Sequence, residues 1–172
     1  MFLERFKEKT RKKHINSELR GREVSVPKLP LQRVGIIVNN DDKLAIDWNT
    51  ELKKLFSNSD LIVDVVSFST ANKRKKDEVS AGFYAPDVAW NGAIKNTELK
   101  TFINTEFNLL ISYYTVNETL LKLLTASSKA DFKVGILKED QRINDLIINT
   151  ELNAFDTFKV ELIKYLKILK RS

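Results

Sequence analysis

Residues 107–136 read FNLLISYYTVNETLLKLLTASSKADFKVGI, and this stretch decides the fold. A dense apolar run (Phe107, Leu109, Leu110, Ile111) precedes a helical pattern on Leu120, Leu121, Leu124 and Ala126, and a second short run (Phe132, Val134, Gly135, Ile136) follows. Strand, crossover helix and strand in that order make a βαβ unit, whose two strands are parallel. Such units build open sheets with helices on both faces, and their ligand sites lie at the carboxyl ends of the strands.

Working outward, Val34-Gly35-Ile36-Ile37-Val38 is a continuous, β-branched run of the kind buried on both faces. Asn39-Asn40-Asp41-Asp42 breaks it, a helical pattern on Leu44, Trp48, Leu52, Leu55 and Phe56 follows, and Leu61 to Phe68 reads as a second strand. The region of Phe83, Tyr84, Val88, Trp90 and Ile94 is irregular, with at most one edge strand. A short helix over Glu98 to Ile103 leads into the decisive stretch, and strands at Lys133–Leu137 and Asp145–Ile148 complete the sheet. The last helix, Ala154 to Lys170, carries a core-packing stripe of Phe155, Phe158, Leu162, Leu166 and Leu169. The string Asn-Thr-Glu recurs at Asn49, Asn96, Asn104 and Asn149 at unequal intervals, which reads as turn or cap chemistry rather than as a repeat. The expected fold is therefore α/β: a single Rossmann-like domain over residues 31–172, with a mainly parallel sheet of about five strands and helices on both faces. Before it, residues 1–30 form a basic helical leader and a connector bracketed by Pro27 and Pro30.

A chain of 172 residues suits one domain with a self-sufficient core. The absence of cysteine excludes a disulfide framework, a thiolate metal site and a cysteine nucleophile, and makes an intracellular location the simpler reading. Met1-Phe2-Leu3 is followed at once by charged residues, and no apolar run approaches the ~20 residues of a bilayer span, so the expectation is a cytoplasmic protein. The net charge of +6 is concentrated at the amino terminus, where residues 1–30 hold nine Lys or Arg against four Glu. The remainder is nearly neutral, with 20 basic and 19 acidic side chains. A basic leader attracts polyanions: RNA, a ribonucleoprotein assembly such as the ribosome, or an anionic membrane face. The plainer alternative is a solvated helix face.

Among only five glycines there is no GxGxxG after a strand and no GxxxxGK[ST], so neither common nucleotide fingerprint is present. His14, the single histidine, lies in the charged leader, which removes histidine-based triads and histidine-rich metal sites. The candidate polyanion contacts are Arg5, Lys7, Lys9, Arg11, Lys12 and Lys13 of the leader, with Lys73, Arg74, Lys75 and Lys76 of an exposed loop. The candidate ligand site is Asn39, Asn40, Asp41 and Asp42 at the end of the first strand, with Tyr113 and Tyr114 at the end of a later one and Asp140 beyond the next. Asp41 and Asp42 could hold Mg²⁺ with Asp140 as a third ligand; the alternative is that Asn40 or Asp41 merely caps the helix that follows. Tyr113 or Tyr114 could stack on a base or sugar, although side chains alternate along a strand and one of the two must face the core. A third reading places Phe2, Leu3 and Phe6 in an anionic membrane surface, with the leader's cations at the headgroups.

The quoted stretch, with its "NLLI" strand, small-residue helix and "KVGI" strand, resembles a segment of heptosyltransferase-like glycosyltransferases. That likeness implies a glycosyltransferase relic, a Rossmann-like half that binds a small molecule or a nucleotide phosphate at the carboxyl ends of the strands, but those enzymes carry a Gly-Asp turn where this chain has Asn39 to Asp42. Over most of its length the chain is more similar to small bacterial proteins of unknown function, with a basic leader, a "VGIIVNND" first strand, "LLISYY" and "KVGI". This second resemblance implies the fold and no activity. The leading expectation is a non-enzymatic module that binds RNA or the ribosome.

Overall fold

A computed structural model describes residues 1–71 and 82–170. The helices are α1 (Phe2–Leu19), α2 (Trp48–Leu55), α3 (Thr97–Asn104), α4 (Thr119–Ser127) and α5 (Phe155–Lys170). The strands are β1 (Arg33–Asn39), β2 (Ile62–Ser69), β3 (Phe83–Tyr84), β4 (Phe107–Tyr113), β5 (Ala130–Gly135) and β6 (Leu146–Ile147). They form one sheet in the order β3-β2-β1-β4-β5-β6, and every pairing is parallel. The chain winds outward from β1 to β3, returns to the other side of β1 at β4, and winds outward again to β6. This doubly wound, Rossmann-like order puts a topological switch point between β1 and β4. The outermost strands are two-residue edges: β6 falls within the strand expected at Asp145–Ile148, and β3 raises the count to six.

The alternation along β1 and β4 divides the core in two. Ile36, Val38, Leu109, Ile111 and Phe132 meet Trp48 and Leu52 of α2 and Phe158, Leu162 and Leu166 of α5 on one face. On the other, Ile37, Phe68, Leu110 and Tyr114 meet Leu99 and Phe102 of α3 and the leucines of α4. Gly35 is required here, because a Cβ at that position would lie 2.7 Å from the Phe107 ring.

The leader helix is part of this architecture. Residues Thr119 to Ala126 of α4 are all buried, Lys122 included, so the helix is covered on both sides and its outer cover is α1. Ile15 is 2 % exposed and joins the core, and Leu19 packs against it. Polar links reinforce the contact. Thr119 Oγ1 donates to Glu8, Arg142 Nη1 donates to Asn16 Oδ1 at 2.8 Å, and the Arg22 guanidinium grips Asp145 at 2.5 and 2.7 Å. The Pro27–Pro30 connector thus separates α1 from the body in sequence, and α1 folds back onto it in space. No helix among the described residues is long and apolar enough to cross a membrane.

Candidate functional site

The carboxyl ends of β1 and β2 meet at the Asn39–Asp42 turn. Asn39 is buried and works in two directions: its Oδ1 accepts from the Asp41 amide at 3.3 Å, and its Nδ2 donates to Asp42 Oδ1 at 3.2 Å. From β2, Ser67 Oγ donates to Asn40 Oδ1 at 2.8 Å and Ser69 Oγ reaches Asp41 Oδ1 at 3.4 Å. Asn40 to Asp42 form a single 3-10 turn, closed by Lys43 in the left-handed region at φ 48°. This turn does not cap α2. The helix begins at Trp48, and Asp47 caps it by accepting from the Thr50 amide at 3.1 Å and the Thr50 hydroxyl at 2.7 Å, bonds that hold the Asp47 carboxyl below its ordinary value. Asn96 does cap α3, accepting from the amides of Glu98 and Leu99.

Asp42 is the chemically odd member of the turn. Its Oδ2 is buried without a hydrogen-bond partner among the described residues. Burial pushes its carboxyl above the usual value, the bond from Asn39 opposes that, and the neighbouring Asp41 charge adds to it. Asp140 does not join these two carboxylates. It lies after β5 and is held by Arg142 (3.1 Å) and Lys122 (3.4 Å); Arg142 helps keep its carboxyl low against the opposing effect of burial. Among the described residues no three acidic or histidine side chains converge as a metal site.

The structure buries both tyrosines, where alternation required only one to be inside. Tyr113 packs edge-on against Trp48, Phe155 and Phe158, and its hydroxyl donates to the Leu152 carbonyl at 2.9 Å. Burial pushes that hydroxyl up to about 12. Tyr114 points to the opposite face, 2.7 Å from Thr125 Oγ1, and burial raises its pKa too. Thr125 spends its own proton on the Leu121 carbonyl at 3.0 Å, so both Tyr114 and Ser112 donate to it. Neither ring has a free face for a base, because helices cover both sides of the sheet.

The cations of α1 divide into paired and free. Lys7 meets Glu4 at 3.4 Å and Lys12 meets Glu8 at 3.7 Å. Arg5, Lys9 and Lys13 are exposed, have no ion pair among the described residues, and recur every four residues along one ridge. Arg11 is half-buried and its Nε has no partner among the described residues. Beside the ridge, Met1, Phe2, Leu3 and Phe6 are exposed, and Phe6 touches the exposed Trp90 ring at 5.8 Å. Lys73, Arg74, Lys75 and Lys76 lie outside the described residues.

Lys133 escaped the sequence reading. It sits inside β5, fully buried, and its Nζ donates to the carbonyls of Thr125 (2.7 Å) and Ala126 (3.0 Å) at the end of α4. Burial lowers it to about 7, with the Arg22 charge helping and Asp145 and Glu18 opposing. The available signal was a lysine at an interior position of an otherwise apolar strand.

A model of the "Family of unknown function (DUF6913)" matches residues 7–169, and the chain belongs to that family. No curated protein and no solved structure matches it. The family match carries no activity and does not bear on the glycosyltransferase likeness.

Proposed function

We propose that this member of a family of unknown function is a non-enzymatic binding module that attaches to RNA in a ribonucleoprotein assembly through the exposed ridge of α1. The observation that carries the reading is the ridge of Arg5, Lys9 and Lys13, without an ion pair among the described residues and presented on a helix that is itself packed on α4. Side chains four residues apart rise about 6 Å along the helix, which lets three cations track one phosphate backbone. Neighbouring Phe2, Phe6 and Trp90 offer exposed rings on which unpaired bases can stack.

Three phosphate contacts to a single strand release counterions enough to weaken binding about 20-fold between roughly 50 and 200 mM salt. Fluorescence anisotropy with single-stranded RNA tests this in wild type and in the triple variant Arg5→Gln, Lys9→Gln, Lys13→Gln. Wild type should show the steep salt dependence and the variant should lose it; equal, salt-independent behaviour of the two would sink the proposal.

A second reading has its own observation. Phe2 is 86 % and Trp90 50 % exposed, an apolar tip beside a cationic ridge that suits the interface of an anionic membrane. Vesicles with and without phosphatidylserine discriminate: a blue shift of tryptophan emission that depends on the anionic lipid would move the assignment from RNA to the membrane.

A further inference from the structure

At the amino-terminal edge of the sheet, away from the Asn39–Asp42 turn, a cavity of about 510 Å³ opens between α1, α3 and the turn joining α4 to β5. That size is within the range of small-molecule sites. We propose that it binds a small phosphate-bearing molecule.

The argument starts with what the cavity's backbone can no longer do. The carboxyl ends of α3 and α4 both point here, and a bare helix end would favour a cation. Most of the carbonyls at both ends are already satisfied. In α3, the Lys100 carbonyl takes the Asn104 amide, that of Thr101 takes the Thr105 hydroxyl, that of Phe102 takes the Thr105 N–H, and that of Ile103 takes the Lys129 N–H. In α4, the Lys133 ammonium covers the Thr125 and Ala126 carbonyls and brings a positive charge of its own when protonated.

What remains unspent is a set of donors. Ser127 and Ser128 line the cavity, and their Oγ atoms are buried just behind its wall with no hydrogen-bond partner among the described residues. A buried hydroxyl without a partner costs about 1–3 kcal/mol, so such atoms mark a place where something else binds. Lys100 and Lys129 stand exposed at the rim with no acidic partner among the described residues. Arg22 is committed to Asp145, and the one carboxylate in the lining, Glu18, faces His14 Nε2 at 3.4 Å. His14 lies against Gly92, whose φ of +90° and 2.9 Å clearance leave no room for a Cβ. Two hydroxyls in the floor, which a turn about the Cα–Cβ bond would bring to the cavity, and two ammoniums at the mouth suit a phosphate, an anion that accepts several bonds at once. The site shares no residue with the Arg5, Lys9 and Lys13 ridge, so it stands or falls independently of the RNA reading.

Titration of the full chain with inorganic phosphate, read by thermal shift against chloride at matched ionic strength, tests the proposal. Wild type should show a saturable rise in melting temperature. Ser128→Ala should weaken phosphate roughly tenfold, the worth of one hydrogen bond to a charged group, while leaving the melting temperature without phosphate unchanged or higher, since its hydroxyl has no partner to lose. Lys129→Gln, an exposed change that leaves the core alone, should also weaken phosphate, and the Arg5, Lys9, Lys13 triple variant should bind it as wild type does. An unsaturable response in wild type, or equal affinities in wild type, Ser128→Ala and Lys129→Gln, would leave only ordered water in the cavity and overturn the proposal. Displacement of bound phosphate by single-stranded RNA would also overturn it, by assigning the site to a nucleic-acid backbone.

Discussion

Replacing Lys133 with Met probes a basic side chain that is wholly inside the core. Its Nζ is lowered from 10.5 to about 7 in the folded protein, chiefly by burial. Below that value the lysine is protonated in both folded and unfolded chains and contributes no slope. Between about 7 and 10.5 the unfolded chain holds a proton that the folded chain lacks, so stability rises as pH increases. Each pH unit in that window is worth up to about 1.4 kcal/mol, and the full window up to about 5 kcal/mol. The bonds to the Thr125 and Ala126 carbonyls favour the charged form and pull the gain below that ceiling. Lys133→Met removes the titration and leaves those two carbonyls without their donor, so the variant should be less stable at alkaline pH, where wild type no longer buries a charge. Denaturant unfolding of wild type and Lys133→Met at pH 7, 8, 9 and 10 isolates the effect, because every other titrating group is common to both. The stability difference should widen toward alkaline pH, by roughly 1 kcal/mol per unit. Two parallel curves would refute the reasoning and show that the ammonium stays charged in the core, held by Asp145, Glu18 and the helix carbonyls.

Ile15→Ala should cost about 2–5 kcal/mol in chemical denaturation, as for a buried residue truncated in a packed core, and deletion of residues 1–23 should abolish the cooperative melt seen by circular dichroism. A truncated chain that melts as sharply as the full one would show that α1 is dispensable. Asp42→Asn should stabilise the protein at pH 7, where the folded state carries a charge that burial penalises, and the gain should shrink as pH falls through the carboxyl's raised value and wild type takes up its proton. Melting curves at pH 7 and pH 4 check this, and a gain that persists undiminished at pH 4 would assign the effect to packing. A rise in wild-type melting temperature with Mg²⁺ that Asp42→Asn erases would instead revive the metal reading of the turn.

The sheet was legible because a short, dense apolar run in 107–113, then apolar residues at helical spacing in 119–127 and a second short run, read as strand, helix and strand. The parallel pairing followed from the crossover length, and the asymmetry of charge was legible by position along the chain. Periodicity states which faces are apolar and is silent about what covers them. That α1 covers α4 depends on one buried isoleucine and on contacts such as Thr119 with Glu8, 111 residues apart, which no local pattern announces. The same silence hid the burial of both Tyr113 and Tyr114, since alternation places two neighbours on opposite faces and only the packed helices close both. The start of α2 moved to Asp47 because a cap is chosen by which side chain reaches the free amides, and Asn40 and Asp41 were already engaged by β2. The cavity floored by Ser127 and Ser128 exists only where α1, α3 and the α4–β5 turn come together. Helices and strands are local consequences of residue order, whereas a site is a meeting of distant residues whose polar groups are left unspent once the fold has used the rest.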